Sequence, residues 1–112
     1  MKELKNSSFA ERQALSNQAK KDMLAKFKFK ATARWNRLLG LWAAERLGLL
    51  GEAAEAYVKR VVDAQFEPGG DKHVVSKVAD DLGAKDPTLT PARIQFELEH
   101  LAEQAKQQLM KE

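Results

Sequence analysis

Proline and glycine are concentrated at three places in this chain, and their spacing is the strongest constraint on its fold. All three prolines and four of the six glycines lie in the segments 48–51, 68–70 and 86–91 of the 112-residue sequence. Because both residue types interrupt helices and favour turns, these segments divide the chain into four stretches. In each stretch apolar residues recur at intervals of three and four, without the alternation typical of strands. The pattern predicts an all-α protein.

The first stretch is predicted to form a long helix. Ser8 and Glu11 have the spacing of a capping box, so we expect the helix to begin near Ser8 and to run towards residue 48. Its apolar positions form a nearly heptad stripe that we expect to face the core: Leu24, Phe27, Ala31, Trp35, Leu38, Trp42, Ala43 and Leu47. Before Met23 large apolar residues are rare, so we expect residues 1–22 to form a flexible N-terminal tail.

The other three predicted helices are shorter, and each has an apolar stripe. We predict them over about 52–66, over about 71–85 and from Thr90 to the C-terminus, with Asp71 and Thr90 as N-caps. The predicted core positions of the second helix are Ala54, Tyr57, Val58, Val61, Val62 and Phe66. Amphipathic helices joined by short turns predict an antiparallel four-helix bundle over residues 23–112, with a long, partly flexible N-terminal helix.

Charge is segregated along the chain. Residues 1–37 contain ten Lys or Arg and three Asp or Glu, whereas residues 38–112 contain nine and thirteen. The N-terminal third therefore has a net charge of +7 and the remainder a net charge of −4, although the whole chain has only +3. Segregation of this kind indicates that the basic end binds a partner, while the acidic part keeps the protein soluble.

Few residues in the sequence are suited to catalysis or to metal binding. The chain has no cysteine, and its two histidines, His73 and His100, lie on separate predicted helices. No Gly-rich phosphate loop and no Ser/His/acid set is recognisable. We therefore expect no enzyme activity, no metal site and no cofactor. We also find neither a signal peptide nor a run of about 18 apolar residues, so we expect a cytoplasmic protein that does not insert into a membrane.

The basic part of the first predicted helix also contains aromatic residues. The residues concerned are Lys20, Lys21, Lys26, Lys28, Lys30, Arg34 and Arg37, with Phe27, Phe29 and Trp35 among them. Such a helix can bind nucleic-acid phosphates, an anionic membrane surface or a groove in another protein. The same pattern is also typical of a solvated face beside a core stripe. Nucleic acid is the less favoured partner, because the acidic remainder of the chain would repel a phosphate backbone.

Three motifs in the sequence resemble one protein family. They are Phe29-Lys30-Ala31-Thr32-Ala33-Arg34, then Asn36-Arg37-Leu38-Leu39-Gly40-Leu41-Trp42-Ala43-Ala44-Glu45, and Gly51-Glu52-Ala53-Ala54-Glu55-Ala56-Tyr57. In these motifs the chain resembles the zeta subunit family of alphaproteobacterial F-type ATP synthases. The similarity continues through residues 61–64, the turn at 68–71 and the terminal amphipathic helix, so it covers nearly the whole chain.

The resemblance implies an inhibitor of ATP hydrolysis. In that family a four-helix bundle carries an N-terminal segment that inserts into the F1 head and blocks rotation in the hydrolytic direction. The implied partners are the alpha, beta and gamma subunits of F1. The implied location is the cytoplasm, peripheral to the inner membrane through the ATP synthase, and we expect a monomer when the protein is free. The expected partner contacts are Phe9, Arg12, Leu15, Lys26, Phe27, Lys28 and Lys30.

The N-terminal segment departs from the family pattern. Ser16 and Lys20 stand where further phenylalanines are typical of the family, and the segment Lys20-Lys21-Asp22-Met23-Leu24-Ala25-Lys26 replaces most of the family's acidic tract. Trp35 stands where the family usually has arginine. These departures leave two alternatives beside inhibition, a basic module that binds nucleic acid or anionic surfaces, and a paralogue that has kept the fold with a changed partner. A third alternative is a stable scaffold with a vestigial tail.

Overall fold

The computed structural model describes the backbone of residues 2–112 and the side chains of Arg12 and of residues 15–112. Within that part of the chain it contains four α-helices and no strand. The helices are α1 (Lys2–Arg46), α2 (Gly51–Gln65), α3 (Asp71–Gly83) and α4 (Pro91–Met110). The all-α prediction is confirmed, and the Pro/Gly segments are the connections between the helices.

Helix α1 is longer than the capping pattern predicted. The prediction that it begins near Ser8 is wrong, because α1 already includes Lys2. Residues 2–7 contain Lys, Glu and Leu, which are good helix formers, and no Pro or Gly interrupts the helix before Ser8. At the other end, Gly48 has φ of 75°, and its N–H bonds to the carbonyl of Glu45 at 3.1 Å. The N–H of Leu49 bonds to the carbonyl of Ala44 at 2.9 Å, which completes a Schellman motif.

The chain divides into two compact units, Met1–Lys30 and Ala31–Glu112. Among the described side chains, every buried one belongs to the second unit. The fully buried large side chains are Leu39, Val61, Val74, Val78, Leu82, Ile94 and Asn36. All four helices contribute to this core, because α1 supplies Leu39, α2 supplies Val61, α3 supplies three residues and α4 supplies Ile94.

Two residues predicted to lie in the core are exposed. Leu24 is 60% exposed, because it belongs to the first unit, in which no described side chain is buried. Phe66 is 62% exposed, because it is the C-cap residue beyond the end of α2 and no longer follows the helical stripe. Trp42 is partly buried against the core, and the guanidinium of Arg46 lies 4.0 Å from the centre of its ring.

Helices α1 and α2 approach closely at Gly40. A Cβ atom added to Gly40 would lie 3.0 Å from the Cα of Val58, so the absence of a side chain permits this approach. One turn from Gly40, the guanidinium of Arg37 lies 3.3 Å from the carboxylate of Glu55 on α2. The close approach of α1 to α2 explains why Gly40 lies in the interior of α1, although glycine lowers helix propensity there.

The N-termini of α3 and α4 test the two predicted N-caps. Asp71 is not the N-cap of α3, because Gly70, with φ of 51°, takes that position. Asp71 is instead the first helical residue, and its carboxylate accepts a hydrogen bond from the side-chain amide of Gln65 at 2.8 Å. The predicted N-cap of α4 is confirmed, since the Thr90 hydroxyl accepts from the N–H of Arg93 at 3.3 Å. Helix α3 packs against both α2 and α4.

Candidate partner-binding surface

All seven predicted contact residues lie within α1, on its N-terminal side. The side chain of Phe9 lies outside the described residues. Phe27 is half-buried, and the remaining five are exposed: Arg12, Leu15, Lys26, Lys28 and Lys30. Leu15 is 68% exposed. The structure therefore places six predicted contact side chains on one helix, where a partner can reach them.

A group of apolar side chains on α1, Met23, Leu24 and Phe27, covers about one turn of the helix, and we call it the apolar strip. Met23 and Phe27 are four residues apart and Leu24 and Phe27 three, so the three side chains are neighbours on one face. Met23 is 71% exposed and Leu24 60% exposed, and Lys20 lines the same shallow pocket one turn earlier. The sequence does not single out Met23 as a surface residue, and its apolar spacing places Leu24 in the core stripe. The available signal for these surface residues was the presence of large apolar side chains in a segment with no core.

Lysines lie on both sides of the apolar strip. With about 100° between successive helical residues, Lys26 and Lys30 fall on one side of the strip and Lys21 and Lys28 on the other. We call these four residues the flanking lysines. All four are exposed, and none forms an ion pair with another described residue. The acid of this segment, Asp22, accepts a hydrogen bond from the side-chain amide of Gln18 at 3.1 Å.

The unpaired basic charge stops at Lys30. The next two basic residues in the sequence, Arg34 and Arg37, form ion pairs with Glu112 at 2.7 Å and with Glu55 at 3.3 Å. Ion pairs at exposed sites add little stability, but these two show which cations already have a partner within the chain. The basic stretch of the sequence therefore has two parts, and only the part up to Lys30 presents unpaired charge to a partner.

A polar network joins α2 to α3 in the second unit. The Tyr57 ring is 3% exposed, and its hydroxyl donates a hydrogen bond to the carboxylate of Asp81 at 2.8 Å. The ammonium of Lys77 lies 3.3 Å from the same carboxylate oxygen. Burial, together with the hydrogen bond to Asp81, raises the pKa of the Tyr57 hydroxyl above its ordinary value. The network holds two helices together through polar groups that satisfy one another.

The two histidines of the sequence are His73 and His100. His73 pairs with Glu67, with 2.7 Å between Nε2 and the carboxylate, and His100 is exposed on α4. Among the described residues, no group of three or more His, Cys, Asp or Glu side chains is placed to hold a metal ion.

The Tyr57 network predicts a specific pH dependence of stability. Because the folded-state pKa is raised, the unfolded state loses the phenolic proton first, at about pH 10. The stabilisation is fully present below that pH and is lost as the pH rises above it. We expect Tyr57→Phe to cost about 1 kcal/mol at neutral pH and to reduce the loss of stability between about pH 9 and 11.

Urea unfolding of both proteins across this pH range measures the effect, and Tyr57 is the only tyrosine, so phenolate absorbance reports its ionisation directly. If Tyr57→Phe lost as much stability as the unmodified protein between about pH 9 and 11, the loss could not be attributed to ionisation of Tyr57.

The family to which the chain belongs is decided by a match to a known family model. A family model described as ATPase inhibitor subunit zeta matches residues 6–108. The chain belongs to the ATPase inhibitor subunit zeta family. The match of this zeta-family chain includes most of α1 and continues into the last turns of α4. No curated protein and no solved structure matches the chain.

Membership of the zeta family confirms the resemblance found in the sequence. The matched range contains the apolar strip, the flanking lysines and the whole core of the second unit. The exposed segment is therefore part of the family domain of this zeta-family chain, and so is the helical core. No helix in the described part of the chain is both long enough and apolar enough to cross a membrane.

Proposed function

We propose that this zeta-family chain is a non-enzymatic regulator that inhibits ATP hydrolysis by the F1 head of ATP synthase. One observation carries the proposal. Within a match to an inhibitor family, none of the described side chains over residues 12–30 is buried, although Leu15, Met23 and Leu24 are large and apolar. Exposed apolar side chains on a helix lose their contact with water when a partner covers them, so this segment is suited to binding.

In this proposal α1 acts as a wedge. Residues from about 8 to 30 insert between F1 subunits as a helix about 33 Å long, and they oppose rotation in the hydrolytic direction. Residues 1–22 form the inhibitory tail, and residues 23–112 form the antiparallel four-helix bundle that anchors it. Phe9, Leu15 and Phe27 supply apolar contact, while the cations fix orientation by pairing with carboxylates of the partner.

The proposed partners are the alpha, beta and gamma subunits of F1. A wedge can stop rotation only if it contacts parts that move past one another, so it must reach both the catalytic ring and the rotor. We propose that the chain is monomeric when free and cytoplasmic, and that it reaches the inner membrane only through the ATP synthase. Family membership supports association with the synthase.

Single substitutions on α1 test the proposal. We expect Phe27→Ala to weaken inhibition of F1-ATPase by about thirtyfold, because losing an aromatic anchor at a packed interface costs about 2 kcal/mol. We expect Arg12→Ala to weaken inhibition as well, without altering the urea unfolding curve. Phe96→Ala is the matched control, since Phe96 is 61% exposed on α4 and lies outside the wedge. Equal inhibition by Phe27→Ala and the unmodified chain would contradict the wedge.

A second candidate function is binding to nucleic acid or to an anionic surface. Six exposed cations over residues 12–30 form no ion pair with another described residue, and this observation favours it. Strongly salt-dependent affinity for duplex DNA of arbitrary sequence, in the absence of ATPase inhibition, would support this function. It would equally support a paralogue that kept the fold and changed its partner. The net charge of −4 over residues 38–112 weighs against nucleic acid.

A further inference from the structure

The apolar strip is short. Met23, Leu24 and Phe27 cover about one turn, roughly 6 Å of helix, and the turn before them presents Lys20, which is charged. A helix that lies in a membrane interface needs an apolar face along its length, because its affinity grows with the apolar area that it buries. One turn of apolar side chains instead matches a single pocket in a protein partner.

Charge surrounds this strip symmetrically. Lys26 and Lys30 lie about 40° apart on one side, and Lys21 and Lys28 lie about 20° apart on the other. All four are exposed, and no described carboxylate neutralises them. Desolvating an ammonium without a counter-charge is unfavourable, so a partner that covers the strip must present negative charge on both sides of it.

We infer that the F1 surface that receives residues 20–30 is a cleft with an apolar pocket for Met23, Leu24 and Phe27 and an acidic rim on each side that pairs with the flanking lysines. This inference rests on the proposed function and specifies the chemistry of its binding site. The partner is a protein surface rich in Asp and Glu, and association is accelerated by long-range attraction. Inhibition by this chain is consequently sensitive to salt.

The test is inhibition of purified F1-ATPase from the organism that encodes the chain, titrated at several KCl concentrations and normalised to uninhibited F1 at each. Between about 50 and 300 mM KCl, where screening shortens from about 14 to about 6 Å, we expect the half-inhibitory concentration to rise about tenfold or more. Replacing all four flanking lysines with Gln raises it by a similar factor at low salt and removes most of the salt dependence.

A matched variant controls for net charge. Lys59, Lys72, Lys106 and Lys111 are exposed lysines of the second unit, and none forms an ion pair with another described residue. Replacing these four with Gln changes the total charge equally, and we expect it to leave inhibition and its salt dependence unchanged. Unchanged circular dichroism in both variants confirms that they fold, so any difference reports the position of the charge.

The contrary outcomes separate this inference from the proposed function. Salt-independent inhibition that survives replacement of the flanking lysines overturns the acidic rim and leaves the inhibitor in place. Absence of inhibition by the unmodified chain at every salt concentration overturns the proposed function, and the inference with it. A third result, in which the flanking lysines are needed only for binding to vesicles of phosphatidylglycerol and phosphatidylcholine, overturns the inference in favour of a membrane surface.

Discussion

Leu39→Ala should lower the free energy of unfolding by about 3 kcal/mol, with a range of 2–5 kcal/mol for buried leucines. Leu39 is 0% exposed and belongs to the core to which all four helices contribute. The substitution removes apolar contact and leaves a cavity that surrounding helices cannot fill without moving. Since small domains are stable by only about 5–15 kcal/mol, the change is a large part of the total.

Leu41→Ala is the matched control for this prediction. Leu41 lies two residues further along α1 and is 38% exposed, so truncating it removes less buried area and leaves no enclosed cavity. We expect it to cost about 1 kcal/mol or less. Urea unfolding followed by tryptophan fluorescence and circular dichroism gives both values. Equal losses in the two variants would contradict the position of the core.

The second large effect concerns Gly40. We expect Gly40→Val to destabilise the protein by about 2–3 kcal/mol, because overpacking a tight contact forces helices apart. The added Cβ would lie 3.0 Å from the Cα of Val58, and a backbone atom cannot rotate away. The valine methyl groups extend beyond that Cβ and increase the conflict, although helix propensity favours any ordinary residue over glycine.

Gly83→Ala provides the contrasting case for the same measurement. Gly83 is the last residue of α3, and an added Cβ would have no atom within 4 Å. The substitution therefore gains helix propensity without a clash, and we expect stabilisation of about 0.5–1 kcal/mol. A Gly40→Val protein that is as stable as Gly83→Ala would show that α1 and α2 do not approach closely at this position.

Local signals predicted the helices well, and competing local signals account for the errors at two helix starts. Thr90 caps α4 as predicted, because capping depends on residues three apart. The helix start predicted at Ser8 is wrong, because a good cap signal cannot stop a helix whose preceding residues also favour helix. Asp71 is displaced from its predicted position by Gly70, whose positive φ suits the sharp turn after α2.

The errors on the candidate surface arise because local spacing does not predict contacts between residues distant in the sequence. Apolar spacing on a helix predicts a face but not whether another helix covers it, which is why Leu24 was assigned to the core. The sequence also does not predict that the unpaired basic charge ends at Lys30. The partners of Arg34 and Arg37 are Glu112 and Glu55, which are distant from them in the sequence. The exposure of the flanking lysines follows from composition, since lysines are rarely buried without a partner.

The most direct test of the account is a titration of purified F1-ATPase, from the organism that encodes the chain, with the full chain and with a version that lacks residues 1–22. Every described buried residue lies beyond residue 30, so the truncated protein keeps the core, and circular dichroism with urea unfolding verifies this. We predict saturable inhibition of ATP hydrolysis by the full chain and its loss on truncation. Absence of inhibition by the full chain at tens of micromolar, or equal inhibition by the truncated chain, would contradict the account.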